Sequence, residues 1–390
     1  MIVVSPSLRR KAIALIASCF LPLYSWAAID PTQLRAVVDA TIHPLMAEHG
    51  VPGMAVAVTV DGQAYFFNYG VASRQSQTPV SEATLFELGS ISKVFTATLA
   101  LYAQANGKLS LSDQASKYMP QLKGSAIGKA SLLHLGTYTA AGLPMQFPDH
   151  VTDERMIGFF QQWVPQAPPG TQRVYSNPSL GLFGHLTALA LKRDFADAIE
   201  KDLLPQLGLK HSYIRVPASA MANYAWGHGD DDKPRRMNPG IFSSEAHGIR
   251  SSSADMINFV QSNMAPERLR GAIRRAVEGT QVGYFQVGNM VQGLGWEQYA
   301  YPLSEEQLQA GNSRKMSQQA NPARRIAAPR TPSTPTLFNK TGSTGGFSNY
   351  VAFVPESKIG IVLLANRSYA IEARIKAAHA ILAQLTSATP

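Results

Sequence analysis

The sequence predicts an α/β fold: an antiparallel sheet assembled from both chain termini and flanked by helices, plus a mainly helical domain inserted between them. Three observations predict it. Met54 to Val60 and Gln63 to Tyr69 are strand-like runs separated by Asp61-Gly62, the dipeptide of a tight hairpin turn. Ser348 to Val354 and Ile359 to Ala365 form a second such pair around a turn at Pro355 to Lys358. Ile371 to Leu385 then closes the chain as an amphipathic helix, with Ile371, Ile375, Ala378, Ile381 and Leu382 near one face.

Taken in order, the chain opens with Arg9, Arg10 and Lys11, an apolar stretch from Ala12 to Tyr24, and small residues at Ser25 and Ala27. That is the layout of an export signal over residues 1–27, and the apolar stretch is too short for a membrane span. A soluble periplasmic protein is expected. Ile16-Ala17-Ser18-Cys19 also resembles a lipoprotein processing site, although the apolar run before it is short for that. Cys19 is the only cysteine, so the exported chain has no disulfide, thiol nucleophile or thiolate metal site.

Asp30 to His49 reads as a helix before the hairpin. Residues 28–105 and 231–390 would make the α/β domain, and 106–230 the mainly helical one. Val216 to Gly240 and the proline-rich Asn321 to Thr336 read as loops. The formal net charge of +9 is spread thinly, with no basic run longer than Arg9-Arg10-Lys11. A nucleic-acid footprint is therefore excluded in favour of solubility or attraction for small anions.

Three short motifs carry chemistry, and each occurs once. Ser90-Ile91-Ser92-Lys93 follows Gly89 and opens a helical pattern that stops at Asn106-Gly107. Serine and lysine three apart share a helix face. A serine at a helix start lies where free backbone N–H groups can hold an oxyanion, and an adjacent amine can help remove its proton. Tyr175-Ser176-Asn177 is the second motif. Lys340-Thr341-Gly342 is the third, read as opening a glycine-rich turn from Lys340 to Phe347 before a strand. Singly, they are a helix cap, a packed aromatic and a turn; together and in this order they are a site.

In that order the motifs resemble those of serine β-lactamases and penicillin-binding proteins. Tyr-Ser-Asn in the middle position is similar to class C, the AmpC type. FELGSISK, GLPMQFPD, QRVYSNPSLGLFGHL, QGLGWE and the stretch from Asn339 to the closing helix extend the resemblance over the mature chain. It implies hydrolysis of a β-lactam amide through an acyl-enzyme on Ser90, as a cephalosporinase, by a monomer with no metal or other cofactor, no nucleic-acid partner and no membrane attachment after signal removal. Ser90 and Ser343 would lend N–H groups to the oxyanion. Lys93, Tyr175 and Lys340 would share the proton traffic. Lys340 and Thr341, with Gly342 beside them, would face the substrate carboxylate, Arg374 would add charge near it, and Gln146 and Asn177 would hold the acylamino amide.

Three positions depart from the family pattern. His247 replaces a tyrosine expected beside the acylamino side chain, Ile371 replaces an asparagine near the carboxylate, and Ser348 replaces a glycine. At its ordinary pKa, His247 would place a cation against the substrate in mild acid. The competing expectations are a D-Ala-D-Ala peptidase or esterase of the same fold, and a β-lactam sensor that acylates and stops. A zinc lactamase is disfavoured because no two histidines stand as His-x-His.

Overall fold

A computed structural model describes residues 1–2 and 30–387. Apart from its first two residues, the expected export signal, with Cys19, lies outside the described residues. The first helix spans Pro31–His49. The Asp30 side chain accepts the Thr32 N–H at its start, Pro31 takes a position that needs no donor, and Gly50 ends it in the left-handed region at φ 59°.

The Asp61-Gly62 turn has φ 51° and 83°. Both values are positive, the geometry that matches strand twist in a two-residue hairpin. It joins Gly53–Val60 to Gln63–Ser73 with Val60 opposite Gln63. Ile359–Ala365 lies antiparallel between Ser348–Val354 and Gly53–Val60, so strands from the two ends of the chain pair inside one sheet.

Among the described residues this sheet has ten strands. Their spatial order is Arg324–Arg325, Phe285–Val287, Met290–Gln292, Glu297–Ala300, Thr336–Ser343, Ser348–Val354, Ile359–Ala365, Gly53–Val60, Gln63–Ser73 and Thr78–Pro79. Every residue of Ser348–Val354 and Ile359–Ala365 is buried, so both faces of the sheet are covered. The helices Ser253–Met264 and Ile371–Ser387 pack on these strands, and Pro31–His49 packs on Ile371–Ser387.

Between 106 and 230 the chain forms short helices and 3₁₀ turns, the longest helix being Asn177–Leu191, with strands of only two residues. That helix and Ser243–His247 pack against Ser92–Ala105, a helix buried along most of its length.

Both expected loops carry more order than their composition suggests. Val216 to Gly240 contains a 3₁₀ stretch at Ala218–Asn223 and a small ladder, Gly227–His228 with Pro234–Arg235. In the proline-rich segment, Asn321–Pro322 pairs with Gln172–Arg173, and Arg324–Arg325 forms the edge of the large sheet. Pairings two residues long leave no periodic trace in a sequence. Lys340-Thr341-Gly342 is also corrected. It lies inside the strand Thr336–Ser343, and the turn begins only after Ser343.

Candidate active site

Gly89 begins the turn that carries Ser90. Its φ is 56°, and a Cβ there would lie 2.5 Å from the Ser343 nitrogen. At Gly342 a Cβ would stand 2.0 Å from the Leu88 carbonyl oxygen. The Ser90 turn can therefore press backbone to backbone against the strand Thr336–Ser343 only because both positions are glycine. Ser90 itself sits in the 3₁₀ turn Gly89–Ile91, and the α-helix starts at Ser92, slightly later than the sequence pattern implies.

The spacing of three still brings Lys93 to Ser90. Lys93 Nζ donates to Ser90 Oγ at 2.8 Å and to the Ala246 carbonyl oxygen at 2.8 Å. Burial, which disfavours the charged form, pulls the Lys93 pKa down. Tyr175 opposes that pull and Lys340 adds to it.

Tyr175 is held just before a helix whose N-cap is Ser176, which accepts the Ser179 N–H at 3.0 Å. Burial works to raise the phenol's pKa. Lys340 and then Lys93 outweigh it, helped by a hydrogen bond from Ser90, and the pKa is drawn down to about 8. The two ammonium nitrogens, Lys93 and Lys340, lie 5.3 and 5.2 Å from the ring centroid.

Two functional residues to which the sequence reading assigns no role stand behind this trio. Glu297 Oε1 accepts from Arg173 Nη2 at 3.0 Å and lies 3.5 Å from Lys340 Nζ. All three side chains are buried. Arg173 also donates to Gln292 Oε1 at 2.6 Å and to the Met316 carbonyl at 2.8 Å, and its guanidinium carbon is 5.5 Å from the Tyr175 ring centroid. Both residues fall inside stretches that resemble the family. The available signal was a charge in a short strand, which needs a partner that sequence does not name.

Ser90, Tyr175, Asn177, Gln146, His247 and the run Lys340 to Ser343 line one cavity of about 430 Å³. Asn177 Nδ2 donates to Gln146 Oε1 at 2.9 Å, while the buried Asn177 Oδ1 has no partner. One acceptor is thus left for an incoming amide N–H.

Arg374 brings its charge up to the Lys340–Ser343 run from behind. It is not in the cavity wall. Its guanidinium is buried behind it and donates to the Gly342 carbonyl at 3.0 Å, Ser343 Oγ at 2.9 Å and the Tyr369 carbonyl at 2.7 Å. It braces the strand end, while Ile371 reaches the cavity. His247 lines the cavity, as expected, but its expected charge is corrected. Burial first, then Lys93 and Arg250, push its pKa down to about 4, so it stays neutral in mild acid.

A serine hydroxyl touching a lysine of depressed basicity, beside a tyrosine that deprotonates near neutrality, is the equipment of a serine hydrolase working by acyl transfer. The comparisons with known proteins narrow this. The β-lactamase family model matches residues 38–386. The β-lactamase of Pseudomonas fluorescens is 50% identical over 355 residues, covering 91% of this chain and 99% of its own. A class C β-lactamase solved in complex with cefoxitin is 45% identical, with a TM-score of 0.88 over 91% of this chain and 100% of its own. A β-lactamase/D-alanine carboxypeptidase of Pseudomonas syringae is 44% identical, with a TM-score of 0.88 over 90% of this chain and 99% of its own. The chain belongs to the β-lactamase family.

Proposed function

We propose that the protein is a class C serine β-lactamase, a cephalosporinase that confers resistance by hydrolysing β-lactams. The observation that carries this reading is the 2.8 Å contact of Lys93 Nζ with Ser90 Oγ next to a tyrosine whose pKa is drawn to about 8. Ser90 Oγ attacks the lactam carbonyl carbon and gives its proton to the Tyr175–Lys93 pair. The N–H groups of Ser90 and Ser343 hold the oxyanion. The ring C–N bond then breaks, and Tyr175 returns the proton to the departing nitrogen. In the second half, water attacks the acyl carbon, Tyr175 takes its proton, and Ser90 Oγ leaves reprotonated.

Lys340 and Thr341 face the substrate carboxylate. Gln146 and Asn177 hold the acylamino amide, with Asn177 Oδ1 accepting its N–H. His247 flanks the side chain beyond that amide. In this reading the site lies where the helical segment 106–230 meets the sheet built from 28–105 and 231–390. The protein is exported to the periplasm as a monomer with its mature start near Ala28. Among the described residues, no helix is long and apolar enough to cross a membrane.

A second reading, D-Ala-D-Ala carboxypeptidase, is favoured by the Pseudomonas syringae neighbour named for both activities. Deacylation separates the two. Steady-state hydrolysis of a cephalosporin, with many turnovers per enzyme, is the expected result. A single stoichiometric burst followed by a stable adduct would overturn the lactamase reading and leave the peptidase or a sensor that acylates and stops, which release of D-alanine from a D-Ala-D-Ala peptide would tell apart.

A further inference from the structure

Substrate capture is not explained by the groups that do the chemistry. From Gln307 to Pro355 the sequence has no acidic residue, yet it carries Arg314, Lys315, Arg324, Arg325, Arg330 and Lys340. Lys340 is buried in the site, and the other five are exposed. Among the described residues, none of the five makes an ion pair.

Arg314 and Lys315 are tied to the cavity mouth, and Arg324 and Arg325 to the segment that leads into Tyr175. Arg314 and Lys315 lie on the short helix Arg314–Gln318, whose Met316 and Ser317 line the cavity. Arg324–Arg325 is the outermost strand of the sheet. It follows Asn321–Pro322, which pairs with Gln172–Arg173 just ahead of Tyr175. The opposite side has the other sign. Asp149, Asp153 and Glu154 border the hollow that adjoins the cavity past Gln146 and His247. Against these three carboxylates the same segment sets Arg155 alone, so the 149–155 side is net acidic where the 314–325 side is basic.

We propose that Arg314, Lys315, Arg324 and Arg325 form a capture surface that steers the carboxylate of an anionic β-lactam toward the Lys340 side of the cavity. The inference rests on the lactamase reading. An unpaired, exposed cation acts over about 10 Å at 0.1 M salt, and several on one rim raise the local concentration of an anion before it binds. Nothing in the rim touches the reacting atoms, so the effect belongs to kcat/KM and not to kcat.

The test compares variants of equal charge change. Arg314→Gln/Lys315→Gln and Arg324→Gln/Arg325→Gln remove two charges from the rim. Lys108→Gln/Arg275→Gln removes two at the far end of the helix Ser92–Ala105, where Arg275 donates to the Ala105 carbonyl, about 20 Å from Ser90. The substrates are a cephalosporin whose only charge is its carboxylate and one whose C3 substituent is permanently cationic, measured from about 50 to 500 mM salt.

The rim variants should lose about two- to tenfold in kcat/KM for the anionic substrate at low salt. Their kcat should stay unchanged, their salt dependence should flatten, and they should change little for the zwitterion. The far variant should follow the wild type. Equal salt slopes in wild type and rim variants, or equal losses on both substrates, would overturn the steering while hydrolysis stands. A wild type that fails to turn over would overturn the lactamase reading itself.

Discussion

An ordinary tyrosine holds its proton to about pH 10, and a lysine holds one slightly longer. At Tyr175 the balance changes because Lys340 and Lys93 flank the ring and outweigh its burial, so the phenol gives up its proton well below an ordinary tyrosine's pH. Ser90 and Lys93 were legible because a fixed spacing on a helix start dictates their contact. The tyrosine was legible only through its place in a family motif, since no local pattern shows which charges surround a ring. His247 shows the same limit. Its position in the cavity wall followed from the resemblance, but its protonation depended on burial and on Lys93, which is distant in sequence, as well as on Arg250 three residues further on.

With a folded pKa of about 4 against an ordinary 6.5, His247 contributes stability that is present above about pH 6.5. That stability is lost as pH falls toward 4, because the unfolded chain takes the proton first. Its charge is therefore absent from the substrate pocket between pH 7.5 and 5.5. His247→Tyr should lower KM for an aryl-substituted cephalosporin about two- to tenfold through larger flat contact, with kcat nearly unchanged. Wild type and variant should show parallel KM–pH profiles over that range. A KM that rises in acid for wild type alone would restore the charged histidine, and equal KM values would remove His247 from the substrate contact.

At the scale of elements, the ionic group Arg173–Glu297–Lys340 joins three strands: Gln172–Arg173, Glu297–Ala300 and Thr336–Ser343. The long strands and both terminal helices were readable from periodicity and turn residues. The strands between Phe285 and Ala300 were not, because three or four residues are too few to show alternation. The group that links them was hidden for the same reason.

Removing the charge with Glu297→Gln has two consequences. The buried Arg173 and Lys340 lose their counter-charge, which should cost about 3 kcal/mol or more in denaturant unfolding. The carboxylate also works against the Tyr175 phenolate. Its loss should lower that pKa further and move the acid limb of kcat/KM to lower pH. A limb that stays in place or moves upward would show that the ionic group braces the strands without tuning the phenol.

Over the whole molecule, strands from the two chain ends pair inside one sheet, and the motifs of the middle and the C-terminal half close on Ser90 from either side. This topology explains why three short sequences, each weak alone, define one site. It also explains what sequence could not supply: Arg374 lies among the residues of the expected site, yet it props the strand end from behind the wall.

The central claim is that Ser90 forms the acyl bond, and peptide mass spectrometry of the protein after exposure to a slowly deacylated β-lactam tests it directly. The predicted result is an adduct of the intact ligand mass on the peptide holding Ser90. Ser90→Ala should carry no adduct and retain less than about a thousandth of the activity. An adduct on another residue, or activity in Ser90→Ala above that level, would contradict the account.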